Sequence, residues 1–238
     1  MKTAVFLQVR LKSSRLPGKA LLRLNGKTAI EHAMEALSFV PADVFALLTD
    51  EESRSVLEPL AKPHGFSVFE GPRDDVLLRF AEASRYFGAT RYIRATGDNP
   101  LVSWELTRDL IALHEEKFAD FSGFLGPPLG TGVELTETRA IYIAEDEAQD
   151  PYEREHVSPF IYRRPGRFRV FRPWAAEEAN LPKACVTLDT AEDYAFITNI
   201  YRALYRDKPI PIRDLVAWLK LHESEHSEHS IFTVGKTG

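Results

Sequence analysis

The sequence predicts an α/β fold of three layers, a mainly parallel sheet covered by helices on both faces. Three observations predict it. Apolar, partly β-branched runs alternate with stretches of helical spacing, Pro/Gly-punctuated loops divide them, and 238 residues with 44% hydrophobic and 27% charged side chains suit a sizeable soluble core. The first run, residues 4–9, reads as a strand; the polar loop LKSSRLPGKA comes next, and Ile30, Ala33, Met34 and Leu37 then repeat at helical period. The alternation continues with a strand at 44–48, a helix at 51–61, a short strand at 67–69, a helix at 75–87 and a strand at 91–95. After the loop TGDNP come a helix at 104–117 and a strand near 118–122. The Gly/Pro-rich stretch GFLGPPLGTG then interrupts the pattern. The residues beyond it, with a helix near 137–147 and the segments YEREHVSPFIYRR and RFRVFR, read as an inserted β/α segment at about 124–184, a place for dimer contacts or a substrate lid. Residues 185–189 are expected to form one more strand and 192–205 a helix, so that a single domain spans 1–222 and a polar tail 223–238.

The charge of −5 and a pI near 5.9 argue against nucleic acid or an anionic membrane as the main partner. One cysteine, Cys185, allows no intrachain disulfide, is expected to be a buried small hydrophobe, and fits a reducing cytoplasm. Gln8 and Arg10 break the apolar start before it reaches the length of a signal-peptide core or a membrane span.

In such sheets ligands bind at the carboxyl ends of strands, which singles out the loops after the first and fourth strands. The first 30 residues hold seven cations and no acid, and Arg10, Lys12, Arg15 and Lys19 crowd a loop that also offers Ser13, Ser14 and Gly18. Clustered cations with free backbone N–H groups are what a polyphosphate needs, although a solvated basic turn has the same composition. Asp98 and Asp189 each come directly after a predicted strand. If those strands are neighbours the two carboxylates can share magnesium, a hard cation that takes one or two carboxylates beside phosphate oxygens; each can equally cap a helix or turn.

The stretch VRLKSSRLPGKAL resembles the N-terminal signature of the cytidylyltransferases that activate acidic sugars, the group of 3-deoxy-manno-octulosonate and acylneuraminate cytidylyltransferases. The spore coat polysaccharide biosynthesis protein F branch combines five motifs: Q-x-R-x-x-S-x-R-L-P-G-K, D-V-L-x-R, T-G-D-x-P-L, E-R-E-H-V-x-P-x-I-Y and a late acid-x-x-E-D. All five are present, at residues 8–19, 75–79, 96–101, 153–162 and 189–193, and the resemblance runs to about Tyr205. It implies a Rossmann-like nucleotidyltransferase domain that makes a CMP-sugar and pyrophosphate from CTP and a small acidic or deoxy sugar, with Mg2+, for polysaccharide or surface glycan synthesis, as a homodimer. Arg10, Ser13, Arg15 and Lys19 match the triphosphate loop, with Gln8 and Ser14 inside the same motif; Asp98 and Asp189 match the magnesium carboxylates, and Arg79 a position near base and ribose. Arg10, Arg15, Lys19 and Asp98 are thereby the catalytic set. Glu134, Glu155 and His156 resemble sugar-side residues of the branch; alternatively Glu155 pairs with Arg154 or Arg163 and His156 is a satisfied core histidine. The chain departs from the branch at Ser103-Trp104, where an acid is usual.

Rival readings are a sugar-1-phosphate nucleotidyltransferase, a nucleotide-sugar glycosyltransferase of related fold and a non-catalytic nucleotide sensor. The absence of a Gly-rich run before Arg10 counts against the first, and that of a paired Asp-x-Asp near Asp98 against the second. The zinc-protease pattern at residues 222–226 is set aside because its surroundings are polar on every face, and Gly235-Lys236-Thr237 lacks the upstream glycine of a phosphate loop.

Overall fold

A computed structural model describes residues 1–13 and 15–222. The strands are β1 (Thr3–Gln8), the small hairpin pair β2 (Arg23–Leu24) and β3 (Lys27–Thr28), then β4 (Val44–Thr49), β5 (Ser67–Glu70), β6 (Arg91–Thr96), β7 (Phe121–Gly123), β8 (Glu134–Glu137) and β9 (Val170–Phe171). The helices are α1 (Ala29–Leu37), α2 (Glu51–Ala61), α3 (Val76–Phe87), α4 (Trp104–Lys117), α5 (Thr138–Glu147), α6 (Pro151–His156), α7 (Pro159–Tyr162), α8 (Ala191–Leu204) and α9 (Ile212–Leu221).

In the described residues the main sheet runs β5-β4-β1-β6-β8-β7-β9. β1 is central because it is apolar on both faces. Val5 and Leu7 join Ile30, Met34 and Leu37 of α1, Leu57 of α2 and Leu110 of α4 on one side. Ala4 and Phe6 join Leu77 and Phe80 of α3 and Ile141 of α5 on the other. Burying each larger side chain contributes about 2 kcal/mol, so a polar residue at either set of positions would cost the sheet one of its layers.

The chain lays β4 and β5 to one side of β1 and then crosses to place β6 on the other, all parallel. The crevice between the carboxyl ends of β1 and β6 is therefore the topological switch point of the sheet. A third apolar cluster, with Leu24, Leu188, Ile197, Ile200 and Leu219, holds α8 and α9 beside this end. The Tyr201 hydroxyl donates to the carbonyl oxygen of Pro100 at 2.8 Å, tying α8 to the loop after β6.

Three expectations change. The segment read as inserted supplies β8, which pairs antiparallel with both β6 and β7 inside the sheet. The short return through the Gly/Pro-rich loop brings the chain back in the opposite sense, and Leu135 completes the apolar face shared with β1. Residues 185–189 form no strand. They touch the Gly/Pro loop through one isolated bridge, Leu129 to Cys185, with hydrogen bonds from Leu129 N–H to Ala184 O (2.9 Å) and Val186 N–H to Leu129 O (2.8 Å). Cys185 is half-buried, its Sγ 3.2 Å from Thr187 Oγ1, rather than a core hydrophobe.

Candidate active site

The site is built first by the loop after β1. Val9 N–H donates to Leu48 O at 3.0 Å, Leu11 N–H to Ser53 Oγ at 3.1 Å, and Gly18 N–H closes the loop onto Leu11 O at 3.0 Å. Gly18 has φ of 67°, a left-handed conformation that side chains resist, and it launches the short 3-10 turn Lys19–Leu21. Lys19 is thereby turned inward, its side chain only 11% exposed.

Asp98 stands on the turn after β6, where Asn99 Nδ2 donates to Thr96 Oγ1 at 2.7 Å and Gly97 N–H donates to Gln8 O at 2.7 Å. Asp189 precedes α8. Neither carboxylate caps a helix. Ser103 caps α4, its Oγ accepting from Leu106 N–H, and Thr190 caps α8 in a capping box with Asp193. Both aspartates are left for other work, and they converge on one ammonium. Lys19 Nζ pairs with Asp98 Oδ2 and donates to Asp189 Oδ1 at 2.7 Å, while Arg15 Nη2 reaches the same Asp189 oxygen at 3.1 Å. Burial disfavours the Lys19 ammonium, but the attraction of Asp98 and the hydrogen bonds to both carboxylates outweigh it and raise its pKa.

These groups line one cavity of about 270 Å³ that gathers Gln8, Arg10, Ser13, Arg15, Lys19, Arg79, Asp98, Asp189, Glu155 and His156. Of the expected site residues, Glu134 lies elsewhere and Ser14 is outside the described residues. Arg79 is the most deeply buried of the expected members: it is 1% exposed, and its Nε and Nη1 find no hydrogen-bond partner among the described residues. Burial lowers its pKa, nearby Arg10 adds to the effect, and Asp50 opposes it. Its stem lies over Gly71, where an added Cβ would sit 2.9 Å from Arg79 Cγ. A buried guanidinium with idle donors on a cavity wall is a group prepared for an external acceptor. Of the other basic residues of the N-terminal stretch, Lys12 pairs with Glu52 at 2.6 Å, and Lys27 with Glu35 and the Tyr205 hydroxyl, both at 2.9 Å.

Pattern reading missed Arg94 and Thr96 of β6, which line this cavity and also a second one of about 260 Å³. A charged residue amid the apolar run RYIRAT was the available signal. Arg94 donates from Nη1 to Glu134 Oε2 at 2.8 Å and from Nε to Gln8 Oε1 at 3.3 Å. Ser158 Oγ donates to the same Glu134 oxygen at 2.7 Å. Glu134 thus anchors a polar wall between the cavities and lines the second, beside Asn99, Phe124 and Arg172.

Glu155 and His156 are exposed at the rim of the first cavity, and the His156 ring packs at a tilt against that of Tyr152, centroids 4.2 Å apart, so the core-histidine alternative is overturned. The expected Glu155 pairing also gives way. Arg154 binds Asp75 at 2.5 Å and two carbonyls at the end of α5, and Arg163 lies over the Tyr152 ring. His222 stacks on Trp218; the rest of its motif and residues 235–237 lie outside the described residues.

The arrangement can hold a chain of phosphate oxygens against Arg10, Arg15, Lys19 and Arg79 and a hard cation between Asp98 and Asp189. Residues 4–229 match the model of a family described as cytidylyltransferase, so the likeness extends beyond Tyr205. The chain is 30% identical over 229 residues to the spore coat polysaccharide biosynthesis protein SpsF of Bacillus subtilis, covering 93% of this chain and 95% of that one. A cytidylyltransferase structure from Leptospira borgpetersenii superposes with TM-score 0.86 at 27% identity over 95% of this chain and 97% of the other. The fold is also that of CMP:2-keto-3-deoxy-manno-octonic acid synthetase complexed with CTP, at TM-score 0.66 and 15% identity over 85% and 99% of the two chains.

Proposed function

The chain belongs to the cytidylyltransferase family and is a nucleotidyltransferase; on that premise we propose that it transfers CMP from CTP to a hydroxyl of a small acidic or deoxy sugar, for the synthesis of a polysaccharide or surface glycan. The observation that carries this reading is the convergence of Asp98, Asp189 and Lys19 in the cavity that also holds Arg10, Arg15 and the idle donors of Arg79. The acceptor hydroxyl oxygen forms a bond to the α-phosphorus as its proton passes to solvent, and the bond from that phosphorus to the bridging oxygen of the β-phosphate breaks, releasing pyrophosphate.

The protein's contribution is position and charge. Arg10, Arg15 and Lys19 offset negative charge on the departing pyrophosphate, and Arg79 donates to the nucleotide from a wall that excludes water, where each hydrogen bond counts for more. The acceptor occupies the second cavity, which meets the first at Arg94 and Thr96. Glu134 holds Arg94 at the boundary that the two cavities share.

A divalent metal fits the donor set. Asp98 and Asp189 present hard carboxylate oxygens that already embrace one cation, the Lys19 ammonium. Asp98 and Asp189 would hold magnesium, which would supply Lewis-acid charge to the phosphate chain.

The test is thermal stabilisation of the full chain by nucleotides. CTP with magnesium is expected to raise the melting temperature more than ATP, GTP or UTP, because a ligand that binds only the native state stabilises it by mass action. Equal shifts with all four would remove cytidine from the assignment, and pyrophosphate release on addition of a sugar separates a transferase from a sensor.

Gly71 provides a second check. Gly71→Ala is expected to push the Arg79 stem aside, raising KM for CTP roughly tenfold at a stability cost of about 1–3 kcal/mol, the usual range for overpacking. An unchanged KM would mean that the Arg79 head group does not touch the nucleotide.

A further inference from the structure

The two carboxylates that suit a divalent cation are occupied by the protein's own cation. Lys19 Nζ bonds Asp98 Oδ2 and Asp189 Oδ1, and the Arg15 guanidinium shares the Asp189 oxygen. Two negative charges are thus matched by two positive ones. No third acid helps: among the described residues no cluster of three or more His, Cys, Asp or Glu side chains is placed to hold a metal. A divalent ion arriving alone meets a neutralised pair and must expel an ammonium from a largely buried position.

A triphosphate held by the cations of this cavity would change the balance, since its oxygens would compete for the same donors. Lys19 has four rotatable carbons on a backbone held by the Gly18 turn, so its head group can move while its anchor stays. We propose that Lys19 is the resident counter-ion of the Asp98–Asp189 pair and makes divalent-cation binding conditional on the triphosphate: the nucleotide takes up the ammonium, and the freed carboxylates take up the metal. The proposal rests on the nucleotidyltransferase reading of this cavity. Its consequence is ordered loading. Metal without nucleotide is held weakly, metal and triphosphate promote each other's binding, and by linkage the promotion is equal in both directions.

Mn2+ binding to the full chain, monitored by electron paramagnetic resonance with and without CTP and with no sugar present, tests this. The native chain is expected to bind free Mn2+ weakly and to bind it at least about tenfold more tightly with CTP, a coupling of ordinary size for linked sites. Lys19→Met leaves the carboxylates unmatched, so its affinity for free Mn2+ is expected to rise about tenfold and the gain from CTP to shrink. Lys19→Arg, which keeps a cation, should behave as the native chain, and Lys19→Gln, run in parallel with thermal melts of each variant, guards against a folding defect in the Met variant. If Lys19→Met and Lys19→Gln are folded and bind free Mn2+ no better than the native chain, while CTP still promotes binding and Asp98→Asn abolishes it, the counter-ion role is overturned and the nucleotide site stands. If no folded variant, nor the native chain, binds Mn2+ even with CTP, the site assignment itself falls and the proposal with it.

Discussion

Asp98→Asn and Asp189→Asn are each expected to lower turnover with CTP about 100-fold or more, the scale seen when a charge-stabilising group is removed from a reacting centre, with the melting temperature nearly unchanged. Both carboxylates accept from or pair with Lys19, and a neutral amide is a poor ligand for a hard cation. The fold does not depend on them, because Ser103 and Thr190 perform the capping that either aspartate could have supplied. Initial rates of pyrophosphate release at limiting magnesium, with a thermal melt of each variant, check this. Near-native turnover in either variant would show that its carboxylate shapes a loop and nothing more.

Arg79→Met is expected to stabilise the free protein and weaken its hold on nucleotide. The guanidinium is buried with Nε and Nη1 unpartnered, so the free protein bears a desolvation cost that the charge of Asp50 offsets only in part. An unbranched apolar side chain of similar length removes that cost and should raise stability by about 1–2 kcal/mol, a few degrees for a chain of this size. The lost donors, worth about 1.5–3 kcal/mol when the donor is charged, should weaken CTP binding roughly 10- to 100-fold. Opposite movements of melting temperature and affinity are the mark of a residue kept for its ligand. A lower melting temperature with unaltered affinity would make Arg79 structural.

The parallel half of the molecule was legible in the residues because its signals are local. An apolar run such as residues 4–9 can only be buried, helical spacing at Ile30, Ala33, Met34 and Leu37 permits one face, and the predicted helix ranges at 51–61 and 104–117 coincide with α2 and α4. Cations gathered after β1 and an aspartate after β6 then had to meet, since both strands end at the same edge of a parallel sheet. The reversed strand β8 was not legible, although the helix after it was. β8 is four residues long, ELTE, and its place between β6 and β7 depends on Leu135 filling a gap beside Ile93 rather than on any period of its own.

Composition, loop chemistry and motif order were thus enough to determine a nucleotide-binding α/β enzyme and its phosphate loop, because residue type and near-neighbour spacing carry that information. Whether Asp98 and Asp189 were caps or ligands, whether Arg79 had a partner, and where Glu134 pointed were decided only by contacts between residues 40 to 170 positions apart. Such contacts set the burial and pairing of each charge, and for a charged side chain those two quantities separate a structural role from a chemical one.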